Sequence, residues 1–317
     1  MALTILLILL ILFVLSNVSV SIPAMLQVDA FVHRFDNPVS SRAYRHQSYL
    51  QAIDKTPMQM NRRTLLAHAA AGAMSLAALS SSATALRPAG KIKAIAFDAF
   101  PIFDPRPIFQ ACERMFPGHG NELAQIWRTR QFEYQWLRAL GGRYADFWNA
   151  TRDALLFAAS SLSLDITAQQ CDALMNGYLQ MVAWPDVKPA LQRLREFGIK
   201  VAFLSNATTE ILNAGIANSQ LDGLFDAVIS TDRIRTYKPD PRAYQLGVDV
   251  LGLDKNEILF VAFAGWDVAG AKWFGYPTFW NNRQGATREQ LGVEADAVGA
   301  TLAELLAYVS ARDRIVG

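Results

Sequence analysis

The 317-residue chain has only two cysteines and four histidines. Cys112 and Cys171 stand far apart, each in a stretch of helical pattern, so neither a zinc-binding spacing nor a disulfide framework is written here. His33, His46 and His68 fall in the N-terminal region and His119 in a Pro-Gly-His-Gly turn, which leaves little basis for a histidine triad or a histidine metal cluster. Thirty Lys and Arg against 28 Asp and Glu give a formal charge of +2, and no long basic run is present to follow a phosphate backbone. Nucleic acid is therefore not an expected partner. No glycine fingerprint follows the first apolar strand and no Gly-Lys-Ser/Thr closes a P-loop, so neither a dinucleotide nor a nucleotide triphosphate site is indicated. What the chain does have is apolar residues, 52% of the total, ample for a buried core.

The first 88 residues read as address. Met1 to Val28 carries no charge, and Leu3 to Leu15 is almost wholly apolar, but no Lys or Arg precedes it as a secretory signal requires. Further on, "MNRRTLLAHAAAGAMSLAALSSSATA" sets Arg62-Arg63 before an alanine-rich apolar run that ends in Ala83-Thr84-Ala85. This resembles a twin-arginine export signal with a small-residue cleavage site, which implies a periplasmic protein. A core helix that begins with two arginines is the plainer reading, and a membrane tether through residues 3–26 is the alternative destination. A leader of this kind belongs at an N-terminus, so translation starting at Met58 or Met60 is a further expectation.

The remainder alternates strand and helix. "IKAIAF" (92–97), "KVAFLS" (200–205), "DAVIST" (226–231), "ILFVAF" (258–263) and "PTFWNN" (277–282) read as buried parallel strands. "VKPALQRLREFG", "TEILNAGIANSQ" and "PRAYQLGVDVLG" read as the helices between the later ones. The pattern predicts an α/β fold, a doubly wound parallel Rossmann-like sheet. Residues 105–184 are too long for a single crossover and carry four helical patterns, so they are expected as an inserted helical cap on a core of residues 89–104 and 185–317.

Ligands of open α/β sheets bind outside the carboxyl ends of the strands. The polar residues at those ends are Asp98 after the first strand, Ser205 and Asn206 after the second, Lys238 beyond the third and Asp267 beyond the fourth. Each has an ordinary explanation: Asp98 starting a turn, Asp267 capping a helix, Ser205 and Asn206 opening a turn, Lys238 solvated in a loop. All of these explanations together require a coincidence.

In order along the chain, "FDAF", "FLSN", "YKPDPRAY" and "AGWDVAGAKWFGYPTFWNNR", with the insert strings "WRTRQFEYQWLRAL" and "RYADFWNATRDAL", resemble the haloacid dehalogenase superfamily, and specifically its L-2-haloacid dehalogenases, over residues 91–312. The resemblance implies a hydrolase acting on short (S)-2-haloacids through an aspartyl ester, with a small-molecule substrate, no cofactor or metal, and a homodimer as the expected assembly. It makes Asp98 the nucleophile, Lys238 the partner of its carboxylate and Asp267 the residue that steers or deprotonates water. Arg128, Asn206 and Phe147 become the halide cradle, Ser205 the holder of the substrate carboxylate, Tyr244 a residue shaping the pocket and Trp266 its neighbour. Trp127 reads more simply as core.

Chemistry agrees independently. A phosphatase on this scaffold needs a second acid two residues past the nucleophile, and acids paired in the fourth motif to hold magnesium. Phe100 stands at the first position and Asp267 is a single acid at the second. A halide leaves without a proton, so a carboxylate nucleophile and a cationic halide site suffice.

Two departures from the family pattern matter. Its Tyr-Gly-Thr becomes Phe100-Pro101-Ile102, one residue shorter, and its Ser-Ser-Asn before Trp266-Asp267 becomes Ala262-Phe263-Ala264. The second loses polar groups that hold Lys238 and the water, which predicts a burst of halide followed by slow ester hydrolysis unless Arg106 takes over the lost role.

Overall fold

The computed structural model describes residues 91–316, with side chains to residue 312. The apolar segment near the N-terminus and the Arg62-Arg63 leader lie outside the described residues.

Six strands form one sheet: β1 (Ala94–Phe97), β2 (Lys200–Ser205), β3 (Ala227–Ser230), β4 (Ile258–Ala262), β5 (Thr278–Asn281) and β6 (Ala297–Gly299). Their order is β3-β2-β1-β4-β5-β6 and every pairing is parallel. The five strands expected from sequence are present within a residue or two of their expected ends. The sixth, Ala-Val-Gly, is too short and too exposed to register as an apolar run.

The central strands are buried on both faces, which is why they read as unbroken apolar runs rather than as alternation. Alternation is nevertheless real in space. Ile95, Phe97, Val201, Phe203, Leu259 and Val261 point into one layer, while Ala94, Ala96, Ala202, Leu204 and Phe260 point into the other. α6 (Val187–Glu196), α7 (Thr209–Asn218) and α10 (Leu302–Val316) cover the first layer with Leu191, Leu194, Ile211, Leu212, Leu302 and Leu305. α8 (Pro241–Leu251) and α9 (Gly265–Phe274) cover the second with Tyr244, Leu246, Val268 and Ala271.

Between β1 and β2 the chain makes one short helical turn, α1 (Ala99–Ile102), and then four helices: α2 (Arg106–Met115), α3 (Gly120–Leu140), α4 (Phe147–Ser161) and α5 (Ala168–Asn176). The outgoing and returning chains pair as a short antiparallel link. Asp104 N donates to Val182 O at 2.9 Å and Trp184 N to Ile102 O at 3.0 Å. Cys112 and Cys171 lie in α2 and α5 as free, buried thiols.

Candidate active site

β1 sits between β2 and β4, so the residues leaving these three strands share one edge of the sheet. Asp98 follows β1 directly, and its backbone N–H continues the sheet pattern by donating to Val261 O at 3.0 Å. It occupies the N-cap position of α1 but makes no side-chain capping bond, so its carboxylate is not spent on starting the turn. Two other groups engage it: Lys238 Nζ donates to Asp98 Oδ1 at 2.8 Å and Ser205 Oγ to the same oxygen at 3.3 Å.

Lys238 is fully buried, and its ammonium also donates to Asp267 Oδ2 at 2.6 Å. Burial works to lower its pKa, but Asp267 and Asp98 outweigh this and hold it above the ordinary lysine value. Asp267, 1% exposed, is pushed up to about 6 by burial, with Lys238 opposing and Asp98 adding to the rise. The N-cap of α9 is Ala264, so Asp267 stands in the first turn rather than at the cap, which removes the capping explanation for it. An acid in the first turn faces the positive end of the helix.

The loop that carries Lys238 is pinned by Asn206. Asn206 Oδ1 accepts from Lys238 N at 2.9 Å and from Thr231 Oγ1 at 3.2 Å, while its Nδ2 donates to Gln135 Oε1 at 3.0 Å. Trp136 Nε1 donates to Lys238 O at 3.1 Å. The helical insert therefore fixes both the lysine and the asparagine.

Asp98, Ser205, Asn206 and Phe147 line one small cavity of about 20 Å³, with Phe100, Phe132, Ala207, Phe263, Ala264 and Trp266 as its other walls. Two expected positions differ. Tyr244 does not shape this cavity: fully buried behind it, its hydroxyl donates to Asp267 Oδ1 at 2.7 Å and so orients that carboxylate. Gly270 makes this possible, because a Cβ there would lie 2.2 Å from the Tyr244 hydroxyl. Arg128 lines not the Asp98 cavity but an adjoining chamber of about 210 Å³, so the expected cradle of Arg128, Asn206 and Phe147 is divided between the two. Burial pulls the Arg128 guanidinium down from its ordinary value, opposed by Tyr178 and Asp98. It lies 5.6 Å from the Phe263 ring and 5.8 Å from that of Phe109.

Trp127 is core, 0% exposed, with its Nε1 donating to Thr151 O at 2.8 Å. Arg106 is committed to an ion pair with Asp104 at 2.6 Å and lies over Trp184, outside both cavities. Gln135, Phe132 and Trp136 were not read as site residues. The signal was present: Arg128, Gln131, Phe132, Gln135 and Trp136 fall at the i, i+3, i+4, i+7, i+8 spacing of a core-facing helical stripe, and two glutamines there need buried partners. Among the described residues no three His, Cys, Asp or Glu group together as a metal site.

Comparison with known proteins agrees with this geometry. A family model described as haloacid dehalogenase-like hydrolase matches residues 92–275. The (S)-2-haloacid dehalogenase of Pseudomonas sp. (strain YL) is 41% identical over 206 residues, covering 65% of this chain and 89% of that protein. Haloacetate dehalogenase H-2 of Moraxella sp. (strain B) is 41% identical over 207 residues, covering 65% and 92%. The structure of the L-2-haloacid dehalogenase from Xanthobacter autotrophicus with chloropropionic acid covalently bound is similar with a TM-score of 0.64 at 37% identity, covering 69% of this chain and 98% of that one. On the match over residues 92–275 and these relatives, the chain belongs to the haloacid dehalogenase-like hydrolase family.

Proposed function

We infer that this chain hydrolyses the carbon–halogen bond of short (S)-2-haloacids, giving 2-hydroxy acids through an ester on Asp98. The observation that carries the reading is a carboxylate at the end of β1, held by a buried ammonium at 2.8 Å and facing an aromatic cavity, with Phe100 where a phosphatase needs an acid. Lys238 Nζ, donating to Asp98 Oδ1, fixes the carboxylate that acts as the nucleophile. An oxygen of Asp98 attacks C2 from the side opposite the halogen, the carbon–halogen bond breaks with its electron pair leaving on the halide, and the configuration inverts. Arg128, in the adjoining chamber, supplies the positive charge toward which the halide leaves, Asn206 and Phe147 line the cavity at Asp98 itself, and Ser205 holds the substrate carboxylate.

In the second half, Asp267, oriented by Tyr244 and Lys238, takes a proton from water as the water attacks the ester carbonyl carbon. The acyl–oxygen bond breaks, Asp267 passes its proton to the departing alkoxide, and the remaining proton goes to solvent as Asp98 returns to carboxylate. The (S)-2-haloacid dehalogenase of Pseudomonas sp. (strain YL) and its relatives at 35–41% identity support the same substrate class.

Halide release from the separate enantiomers of 2-chloropropionate tests the reading. Release is expected from the (S) form only, and unchanged after exhaustive chelation. Turnover of a phosphate ester that magnesium restores would instead favour a phosphatase-like hydrolase. Tight binding of 2-haloacids without turnover would favour a non-catalytic binding protein.

We further propose that the protein is exported folded, on the strength of Arg62-Arg63 and Ala83-Thr84-Ala85, to act as a periplasmic homodimer, a membrane tether through residues 3–26 being the alternative. Replacing both arginines by lysine is expected to retain a reporter fusion in the cytoplasm, and export that survives the change contradicts the proposal.

A further inference from the structure

The cavity at Asp98 has room for about one water molecule, since a water needs roughly 10–15 Å³ and about 20 Å³ is present. No haloacid fits without a wall moving or being absent. Most of the aromatic walls are fixed by their own packing. Phe147 packs edge-on to Tyr178 at 5.6 Å within the insert's core. Trp266 is held between Phe132 at 5.3 Å and Trp136 at 5.4 Å, and Phe132 in turn stacks on Trp136. Phe100 is tied through its backbone, its carbonyl accepting from Trp184 Nε1 at 3.0 Å, and its ring meets Phe263.

Phe263, with Phe132, Ala264 and Trp266, stands between the two cavities. It belongs to the turn between β4 and α9, where the backbone is tied by Trp280 Nε1 donating to Phe263 O at 3.0 Å. Its ring touches Phe100 at 5.7 Å on one side and the Arg128 guanidinium at 5.6 Å on the other. It lines both the Asp98 cavity and the roughly tenfold larger Arg128 chamber, and so forms part of the partition between nucleophile and cation. It is also one of the positions where the chain departs from the family pattern, carrying a phenyl ring in place of serine.

We propose that Phe263 determines substrate size, narrowing the site so that two-carbon haloacids are turned over in preference to those with an alkyl group on C2. The inference rests on the dehalogenase reading of the same site. A wall that meets the substrate at C2 discriminates by the methylenes it excludes, and each is worth on the order of tenfold to two-hundredfold in kcat/KM.

The experiment compares kcat/KM for chloroacetate and (S)-2-chlorobutyrate in the full chain, in Phe263→Ala and in Phe263→Leu. A second measurement determines by calorimetry the affinity of each protein for the corresponding products, glycolate and (R)-2-hydroxybutyrate. The native protein is expected to favour the two-carbon member of each pair. Phe263→Ala is expected to reduce that preference by about tenfold or more, with Phe263→Leu, which keeps a smaller apolar plug, in between. An unchanged preference in both variants, or a native protein that favours the four-carbon compounds, overturns the proposal. If the native protein releases no halide from either substrate, the dehalogenase reading fails, and the product affinities alone still decide on Phe263: a shifted preference upholds its role as a size filter and an unshifted one refutes it.

Discussion

Asp98, Lys238 and Asp267 form a line of two carboxylates with one ammonium between them, and the energetics of that line set how the site responds to pH. Removing Lys238 would leave the buried Asp267 and the partly buried Asp98 without their shared cation, and breaking a buried pair typically costs about 3–5 kcal/mol, so the lysine serves the fold and the chemistry together. Asp267 is the member whose protonation matters near neutrality, because burial lifts it to about 6. Above that pH it is ionised and can accept a proton from water; below it the base is lost. Esterification removes the Asp98 charge that adds to this rise, so the rate of ester hydrolysis is expected to fall on the acid side of about 6, while halide displacement in a single turnover falls less, because it does not use Asp267. A pH profile of kcat beside one of single-turnover halide release checks this. In Asp267→Asn that acid limb should vanish from a much reduced kcat.

Among the elements, α9 carries the largest consequence of the departures. Its N-cap is Ala264, with extended backbone and no side-chain acceptor, so orphan N–H groups of the first turn lack the capping bond that Asn, Asp, Ser or Thr provides. The polar group missing from this position is also one of the two expected to help hold Lys238 and the hydrolytic water, and Arg106, bound to Asp104 and lying over Trp184, does not replace it. Ala264→Asn is expected to stabilise the protein by about 0.5–2 kcal/mol through the cap. It is also expected to quicken the slow phase after a halide burst by on the order of tenfold, one hydrogen bond to a charged or polarised group being worth about 1.5–3 kcal/mol. Rapid-quench halide release and thermal melting read the two effects separately. A raised melting temperature with an unchanged slow phase would confine Ala264 to a structural role.

Elements were also where the sequence was most legible. Strands buried on both faces announce themselves as apolar runs, and Asp98, Ser205 and Asn206 could be placed because Ser205 ends such a run and Asp98 and Asn206 directly follow one. β6 could not be read, since three residues with one exposed valine carry no periodic signal. Nor could the role of Tyr244, whose bond to Asp267, 23 residues on, depends on α8 and α9 meeting closely at Gly270, which spacing along the chain does not encode. The division of Arg128 from Asp98 likewise depends on where the Phe263 ring lies in space.

At the scale of the whole molecule, the ends of the sheet supply Asp98, Lys238 and Asp267, while the insert supplies Arg128, Gln135, Trp136 and Phe147. Neither part contains a complete site. Their joint claim is that Asp98 attacks carbon and is then regenerated by attack of water on its own carbonyl, and the origin of one oxygen atom tests it. In a single turnover of (S)-2-chloropropionate carried out in heavy-oxygen water with enzyme in excess, the label is expected in the Asp98 carboxylate, found by mass spectrometry of the peptide, while the lactate formed carries ordinary oxygen. Label in the lactate with none in Asp98 would mean that water attacked C2 directly, and would contradict the account.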